Sequence, residues 1–185
     1  DQYFLKPFFD ALERVGVYPE VVNNYQFYQK GKFKECTKKI IDQTETAREI
    51  LETVSGRQLP KNWFPWTFKD NDGRLCTGKV TKYDWPYVIF ENDKGEEVTN
   101  NMAKGEGKLP WRLDWPSKWK VLGVTFEAFG KDHATKGGSY DTGKEIIEKI
   151  LGSKVPHHIV YEWINLKGKG AMHSSTGLAI PAEEM

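Results

Sequence analysis

The sequence predicts a mixed α/β fold, and three observations carry that prediction. A β-forming run at 124–129 leads through a glycine-rich stretch into an amphipathic run at 141–151, then into a second β-forming run at 159–166, the order of a β-α-β unit. Residues 57–105 hold short β-forming runs separated by strong turn signals, which predicts a small antiparallel unit. Ahead of both, residues 3–55 place apolar side chains at helical spacing. Aromatic residues make up 14% of the 185, seven of them Trp, so the chain has a folding rather than a disordered composition.

Taken in order, Phe4, Leu5, Phe8, Leu12 and Val15 fall on one helical face, and Gly16 follows where a helix-terminating glycine belongs. Val17-Tyr18 reads as a short strand, and 23–29 as a short helix broken at Gly31. Over 32–55, Ile40, Ile41, Ala47, Ile50, Leu51 and Val54 form the apolar stripe of one long helix that Gly56 ends. After Leu59-Pro60 the character changes. Asp70-Asn71-Asp72-Gly73 and Asn92-Asp93-Lys94-Gly95 are turns among β-forming runs at 78–83, 87–91 and 96–99. In 110–123, Trp111, Trp115 and Trp119 recur every four residues, and Pro116 reads as the first turn of a helix. No internal repeat is present.

Charge is balanced, 27 Lys and Arg against 26 acids, so any nucleic-acid binding rests on local patches. Two cysteines, Cys36 and Cys76, form no C-x-x-C pair, which excludes a zinc ribbon or dithiol motif and fits a reducing, cytoplasmic setting. No apolar run approaches the ~20 residues of a membrane span, and no leader pattern occurs. The chain opens on Asp1-Gln2-Tyr3 and stops at Glu183-Glu184-Met185, which reads as a segment of a longer protein.

The glycine-rich stretch carries the chemistry. At Gly130-Lys131-Asp132-His133, glycine lets a ligand approach the backbone, Asp132 can accept from a hydroxyl or ammonium, and His133 can donate or accept. The same residues equally describe a turn whose aspartate caps the next helix. At Gly137-Gly138-Ser139-Tyr140-Asp141-Thr142-Gly143, Ser139, Asp141 or Thr142 can cap a helix whose free amides also suit a phosphate or carboxylate. The stretch is neither G-x-G-x-x-G nor a phosphate loop ending in Gly-Lys-Ser/Thr. A second loop, 167–177, combines lysines, hydroxyls and glycines in a way that suits a polyphosphate, or a solvated loop. Trp111, Asp114, Trp115, Tyr161 and Glu162 flank these loops. Aromatic rings with carboxylates suit an ammonium group, while Trp at a spacing of four also suits a core. His157-His158 lacks cysteines or spaced acids, so no metal site is expected.

These residues together resemble a known family. Pro110-Trp111-Arg112-Leu113-Asp114-Trp115-Pro116, Gly130-Lys131-Asp132-His133, Gly138-Ser139-Tyr140-Asp141-Thr142-Gly143-Lys144-Glu145, Tyr161-Glu162 and the 172–177 loop occur in that order. They closely resemble class I lysyl-tRNA synthetases of the archaeal and bacterial type, most densely over 110–177 and back to residue 3. The resemblance implies a partial Rossmann-type catalytic domain: a helical segment (1–56) after the first half of the nucleotide-binding fold, a small β-rich connecting insertion (57–109), and the second half (110–185) ending in the signature loop.

It further implies lysine activation with ATP, accompanied by Mg2+, and lysyl transfer to tRNA(Lys). Trp111, His133 and Tyr161 would bind lysine, with Asp114 as the carboxylate of the aromatic wall. Gly130, Lys131, Asp132, Gly138 and Asp141 would bind ATP. Lys167, Lys169, Met172, His173, Ser174 and Ser175 would be the catalytic loop, in the place of the family's Lys-Met-Ser-Lys-Ser motif. Ala171 and Thr176 stand where lysines often occur and His173 stands for a serine, so Lys167 or Lys169 would supply the charge. A His-Ile-Gly-His-like motif is expected upstream, the 185 residues alone are expected to be inactive, and Cys76 alone makes no zinc site. The alternatives are a non-catalytic lysine- or nucleotide-binding paralogue, or another nucleotidyltransferase on the same fold.

Overall fold

A computed structural model describes residues 2–172, 177 and 180. The chain divides into two units, Asn23–Tyr161 and a smaller one made of Asp1–Val22 with Glu162–Met185.

The larger unit begins with helix α2 (Asn24–Gln29), where the Asn23 side chain accepts from the Gln26 amide at 3.0 Å. Tyr28 points inward from it and stacks on Phe33 at 4.2 Å between ring centroids. Its hydroxyl donates to Asp114 at 2.6 Å and accepts from the Leu109 amide at 3.2 Å. Burial and then the Asp114 carboxylate push the phenol well above its ordinary range, so it stays a donor.

The single helix expected over 32–55 is two, α3 (Lys34–Asp42) and α4 (Thr44–Ser55). Gln43 leaves the helical region (φ −117°, ψ 37°), and the Thr44 hydroxyl takes the Ile41 carbonyl at 2.7 Å, a local bond that competes with the helical ladder. The apolar stripe survives the break: Cys36, Ile40, Ile41, Ala47, Ile50 and Leu51 are all buried.

Strands β1 (Phe68–Lys69) and β2 (Leu75–Cys76) form an antiparallel pair across the turn at residue 70, where Asp70 Oδ1 accepts from the Arg74 amide. Strands β3 (Gly78–Asp84), β4 (Tyr87–Asn92) and β5 (Glu97–Asn101) form an antiparallel sheet with β4 in the centre. The Asn92 side chain accepts from the amides of Lys94 and Glu96, closing the β4–β5 turn. Val88, Phe90 and Val98 bury one face, and Phe90 stacks on Phe68 at 4.2 Å.

Helix α5 (Trp111–Leu122) starts a turn and a half before Pro116, which lies inside it. Pro110 sits at the N-cap, and its carbonyl accepts from both Leu113 and Asp114. Pro116 removes one ladder bond and is itself buried. Strand β6 (Phe126–Gly130), helix α6 (Ser139–Lys149) and strand β7 (His157–Tyr161) form the expected β-α-β unit, with β6 and β7 parallel and Gly130 opposite Tyr161. The indole N–H groups of Trp115 (2.7 Å) and Trp119 both donate to the carboxylate of Glu127 on β6.

The smaller unit holds helix α1 (Gln2–Arg14), stopped at Gly16 (φ 75°), and a hairpin of β8 (Asn165–Leu166) with β9 (Gly170–Ala171). Val17-Tyr18 is not a strand. The strand expected over 159–166 ends at Tyr161. The second glycine loop therefore begins as the turn of a hairpin rather than as the exit of a long strand. Among the described residues no helix is long and apolar enough to cross a membrane.

Glu127→Ala strands two indole donors and removes a charge-assisted pair. It is expected to cost about 3 kcal/mol of stability in urea unfolding, with Glu127→Gln losing less.

Candidate active site

Three backbone segments converge: the N-terminus of α5, the loop from β6 into α6, and the end of β7. At the strand ends, the Lys131 amide donates to the Tyr161 carbonyl at 3.1 Å, which extends the β6–β7 pairing by one bond. A Cβ on Gly130 would lie 2.7 Å from Asp132 Oδ1 and 3.6 Å from the Tyr161 ring. Asp132 and Tyr161 thus share the space over a bare backbone. The chain then turns, with the amides of His133 and Ala134 donating to the carbonyls of Gly130 and Lys131.

His133 stands against two indoles. Its ring lies 5.8 Å from Trp111 and 5.4 Å from Trp115, which stack on each other at 5.2 Å. Asp132 Oδ2 is 3.7 Å from His133 Nε2. Trp111, His133, Asp132, Gly130 and Tyr161 are therefore contiguous, one neighbour touching the next. Trp111 and Tyr161 are about half exposed, whereas Trp115 and Trp119 are buried. The Trp repeat is both wall and core.

Asp114 does not belong to the open wall. It is 4% exposed, accepts from Tyr28 with Oδ1 and pairs with Lys118 through Oδ2 at 2.7 Å. The Lys118 ammonium also lies 5.5 Å from the Trp111 ring centroid. The combination anticipated for a substrate ammonium, an indole face with a carboxylate, is thus made by the protein's own lysine. The reason is geometric: Asp114 follows Trp111 by three residues, and that turn of α5 faces α2.

The loop into α6 is packed too tightly for side chains. Gly137 has φ 73°, and its Cβ would lie 2.6 Å from the Val54 carbonyl oxygen. A Cβ on Gly138 would meet the carbonyl oxygens of His133 and Thr135 at 2.6 Å. The expected side-chain caps are arranged differently. Helix α6 starts at Ser139 with Gly138 at the N-cap and no side-chain cap bond there. Asp141 Oδ2 instead reaches back to the Gly137 amide at 3.0 Å, while Oδ1 meets Lys144 at 2.9 Å. Thr142 is buried and bonds the Gly138 and Ser139 carbonyls, and Ser139 accepts from the Trp111 indole at 3.2 Å.

Several residues that sequence reasoning left unassigned organise this site. Arg112 donates from Nη1 to the carbonyls of Gly137 (3.1 Å) and Gly138 (2.9 Å) and to Thr142 Oγ1 (3.1 Å), clamping the loop to α5. His158, exposed on β7, stacks on Phe129 at 5.5 Å and bonds the Tyr140 hydroxyl through Nδ1 at 2.8 Å, tying the strand to α6. Arg112 sits beside Trp111 in the quoted motif, which is a usable signal. Glu127, two residues before Phe129, offers none.

In the smaller unit, Lys167 and Lys169 are exposed on the β8–β9 turn, and the Met172 amide donates to the Ile164 carbonyl at 2.9 Å. His173, Ser174 and Ser175 lie outside the described residues. No group of three or more His, Cys, Asp or Glu among the described residues is arranged to hold a metal ion. Cys36 is buried and Cys76 half-buried, and both are free thiols.

The hydrogen bond from Lys144, and next the Gly137 amide, hold the Asp141 carboxyl below the usual aspartate range, against a desolvation that acts the other way. A lowered folded pKa stabilises above the unfolded value of about 3.9 and loses that contribution as pH falls through the folded value. The stability gap between wild type and Asp141→Asn in urea melts is expected to be constant above about pH 5 and to shrink below about pH 4.

A family model described as tRNA synthetases class I (K) matches residues 1–185. The lysine–tRNA ligase of Methanosarcina barkeri is 46% identical over 190 residues, covering 100% of this chain and 35% of that protein. That of Archaeoglobus fulgidus is 40% identical over 185 residues, covering 100% of this chain and 37% of that protein. That of Methanocaldococcus jannaschii is 39% identical over 190 residues, with coverage of 99% and 36%. The chain spans about a third of the length of these curated relatives. With the family model matching from the first residue to the last, and with the Trp111–His133 wall set beside the glycine loop, the chain belongs to the class I (K) tRNA synthetases.

Proposed function

We propose that this chain is part of the catalytic domain of a lysine–tRNA ligase, which activates lysine with ATP and transfers the lysyl group to tRNA(Lys). The observation that carries the reading is the continuous constellation of Trp111, His133, Asp132, Gly130 and Tyr161 at the strand ends, beside the glycine-rich loop into α6. Membership of the family and the names of the relatives support it.

In this reading Trp111, His133 and Tyr161 bind the lysine side chain, and Gly130, Lys131, Asp132 and Gly138 form the floor for ATP and the adenylate. Asp114 acts from beneath, orienting Lys118 and Tyr28, and Asp141 holds the loop through the Gly137 amide. The lysine carboxylate attacks the α-phosphorus, and pyrophosphate leaves. No covalent enzyme intermediate is needed, so the protein's work is alignment and stabilisation of developing charge. Mg2+ travels with the ATP phosphates as part of the substrate. Lys167 or Lys169 and the loop from Met172 neutralise the leaving pyrophosphate. Selectivity follows from a site built for an ammonium, whose polar groups an apolar analogue would leave unpaired.

The domain reading is part of the same proposal: a Rossmann-type half formed by 110–185, a connecting β-rich insertion at 57–109, and a helical segment at 1–56. Parallel sheets are ordinarily covered on both faces. The β6–β7 pair exposes Phe126, Ile159 and Val160, a surface suited to the first half of such a domain. A cytoplasmic setting accords with the reduced cysteines.

Lysine-dependent ATP–pyrophosphate exchange by the full-length protein is the test. Exchange is expected at saturating lysine in the presence of tRNA, and its absence would sink the reading. Trp111→Ala and His133→Ala in that protein are each expected to raise the KM for lysine by about tenfold or more. An unchanged KM in both variants would remove these residues from the pocket. The 185 residues alone are expected to show no exchange.

A further inference from the structure

We propose that the cleft between the end of α4 and the start of α5 binds a nucleotide phosphate, supplied by the unpaired end of an RNA strand or by a free nucleotide. The cleft holds about 250 Å³, and its lining includes Arg57, Arg112, Trp63, Trp111, Leu59 and Leu113. Two arginines therefore line one small space together with Trp and aliphatic residues.

The donor inventory of Arg112 is half spent. Its described hydrogen bonds all leave from Nη1, toward Gly137, Gly138 and Thr142. The edge formed by Nε and Nη2 is the fork that matches two oxygens of a phosphate, and none of the described hydrogen bonds uses it. Arg57 contributes a second cation from the exposed stretch after Gly56. Burial, and next the charge of Arg57, hold the Arg112 guanidinium below its ordinary value, so the two cations repel each other.

Among the described residues neither arginine has a carboxylate at ion-pair distance. The acids of the neighbouring helix are turned elsewhere, Glu45 and Glu52 both toward Arg48. The two cations repel each other, and an anion between them turns that repulsion into attraction on both sides. Trp63 and Trp111 line the same cleft, with Arg48 5.5 Å from the Trp63 ring and Trp115 and Lys118 against Trp111, and a base would stack on the indole surface these contacts leave. The volume suits a single nucleotide unit. Arg112 also joins this cleft to the glycine loop, so a ligand here would brace the loop from behind.

The choice of RNA as the source rests on the lysine–tRNA ligase reading; the phosphate site itself does not. The test is tryptophan-fluorescence titration of the full-length protein at low salt with a six-nucleotide single-stranded RNA, with AMP and with inorganic phosphate. Each is read as the difference between wild type and the Arg57 variants, Arg57→Gln and Arg57→Lys. Arg57 has no described side-chain partner whose loss would unfold the chain.

Arg57→Gln is expected to weaken nucleotide binding about tenfold, with partial recovery in Arg57→Lys. For the RNA, the slope of log affinity against log salt should fall by about 0.7 for the lost phosphate contact. RNA binding well above AMP assigns the strand end, and equal binding assigns a free nucleotide. Inorganic phosphate binding as tightly as either, equal affinity of wild type and Arg57→Gln, or no binding to wild type overturns the proposal. None of these outcomes alters lysine-dependent exchange by the full-length protein, which tests the other reading by itself.

Discussion

The carboxylate of Glu127 holds this structure's working parts in register. Two indole N–H groups, one from each of two successive turns of α5, converge on its two oxygens. A carboxylate that receives two such donors is satisfied without a cation, and the indoles gain the partner that buried Trp requires. The consequence is a fixed rotation and height of α5 against β6. That rotation presents Trp111 at the open end of the helix and seats Trp115 against Phe129 and His133. A helix free to turn would carry Trp111 away from the strand end, and no wall would form.

Helix α5 does a second task through Arg112. The residue next to the exposed indole clamps the loop that leads into α6, so the wall and the glycine floor move as one body. The indole adds its own tie through Ser139. On the opposite side of the helix, Asp114 is held by Tyr28 and Lys118, which anchors α5 to the N-terminal helices. The first turn of α5 thus serves the open wall, the loop and the core at once, and the Trp repeat is its frame. The presence of Lys118 over Trp111 also shows that the indole face has the electrostatic character an ammonium seeks.

Much of this was legible along the chain. The turn sequences at 70–73 and 92–95 act locally, through Asp70 and Asn92 bonding amides two to four residues away, and local bonds leave a local signature. Gly137 and Gly138 read in the sequence as part of a helix start whose amides suit an anion, and only the structure shows that a Cβ at either would meet backbone carbonyl oxygens. The nearness of Trp111 to His133 followed from the family resemblance rather than from spacing. The inward turn of Asp114 was not legible, because an acid one helical turn from an exposed Trp has the same spacing whichever face is buried. The break at Gln43 was hidden too, since the apolar stripe continues across it.

What the sequence alone determined is the succession of a helical segment, an antiparallel unit with its turns and a β-α-β unit, and the family. These depend on periodicity and on residues close together in the chain. Only the tertiary structure decided which acids are spent inside and which cations remain unspent. Glu127 and Asp114 are consumed by Trp115, Trp119, Tyr28 and Lys118, while Arg57 and Arg112 share a cleft without a carboxylate. The physical reason is that charge pairing and desolvation depend on distances across space, between residues as far apart as Tyr28 and Asp114, which no local pattern encodes.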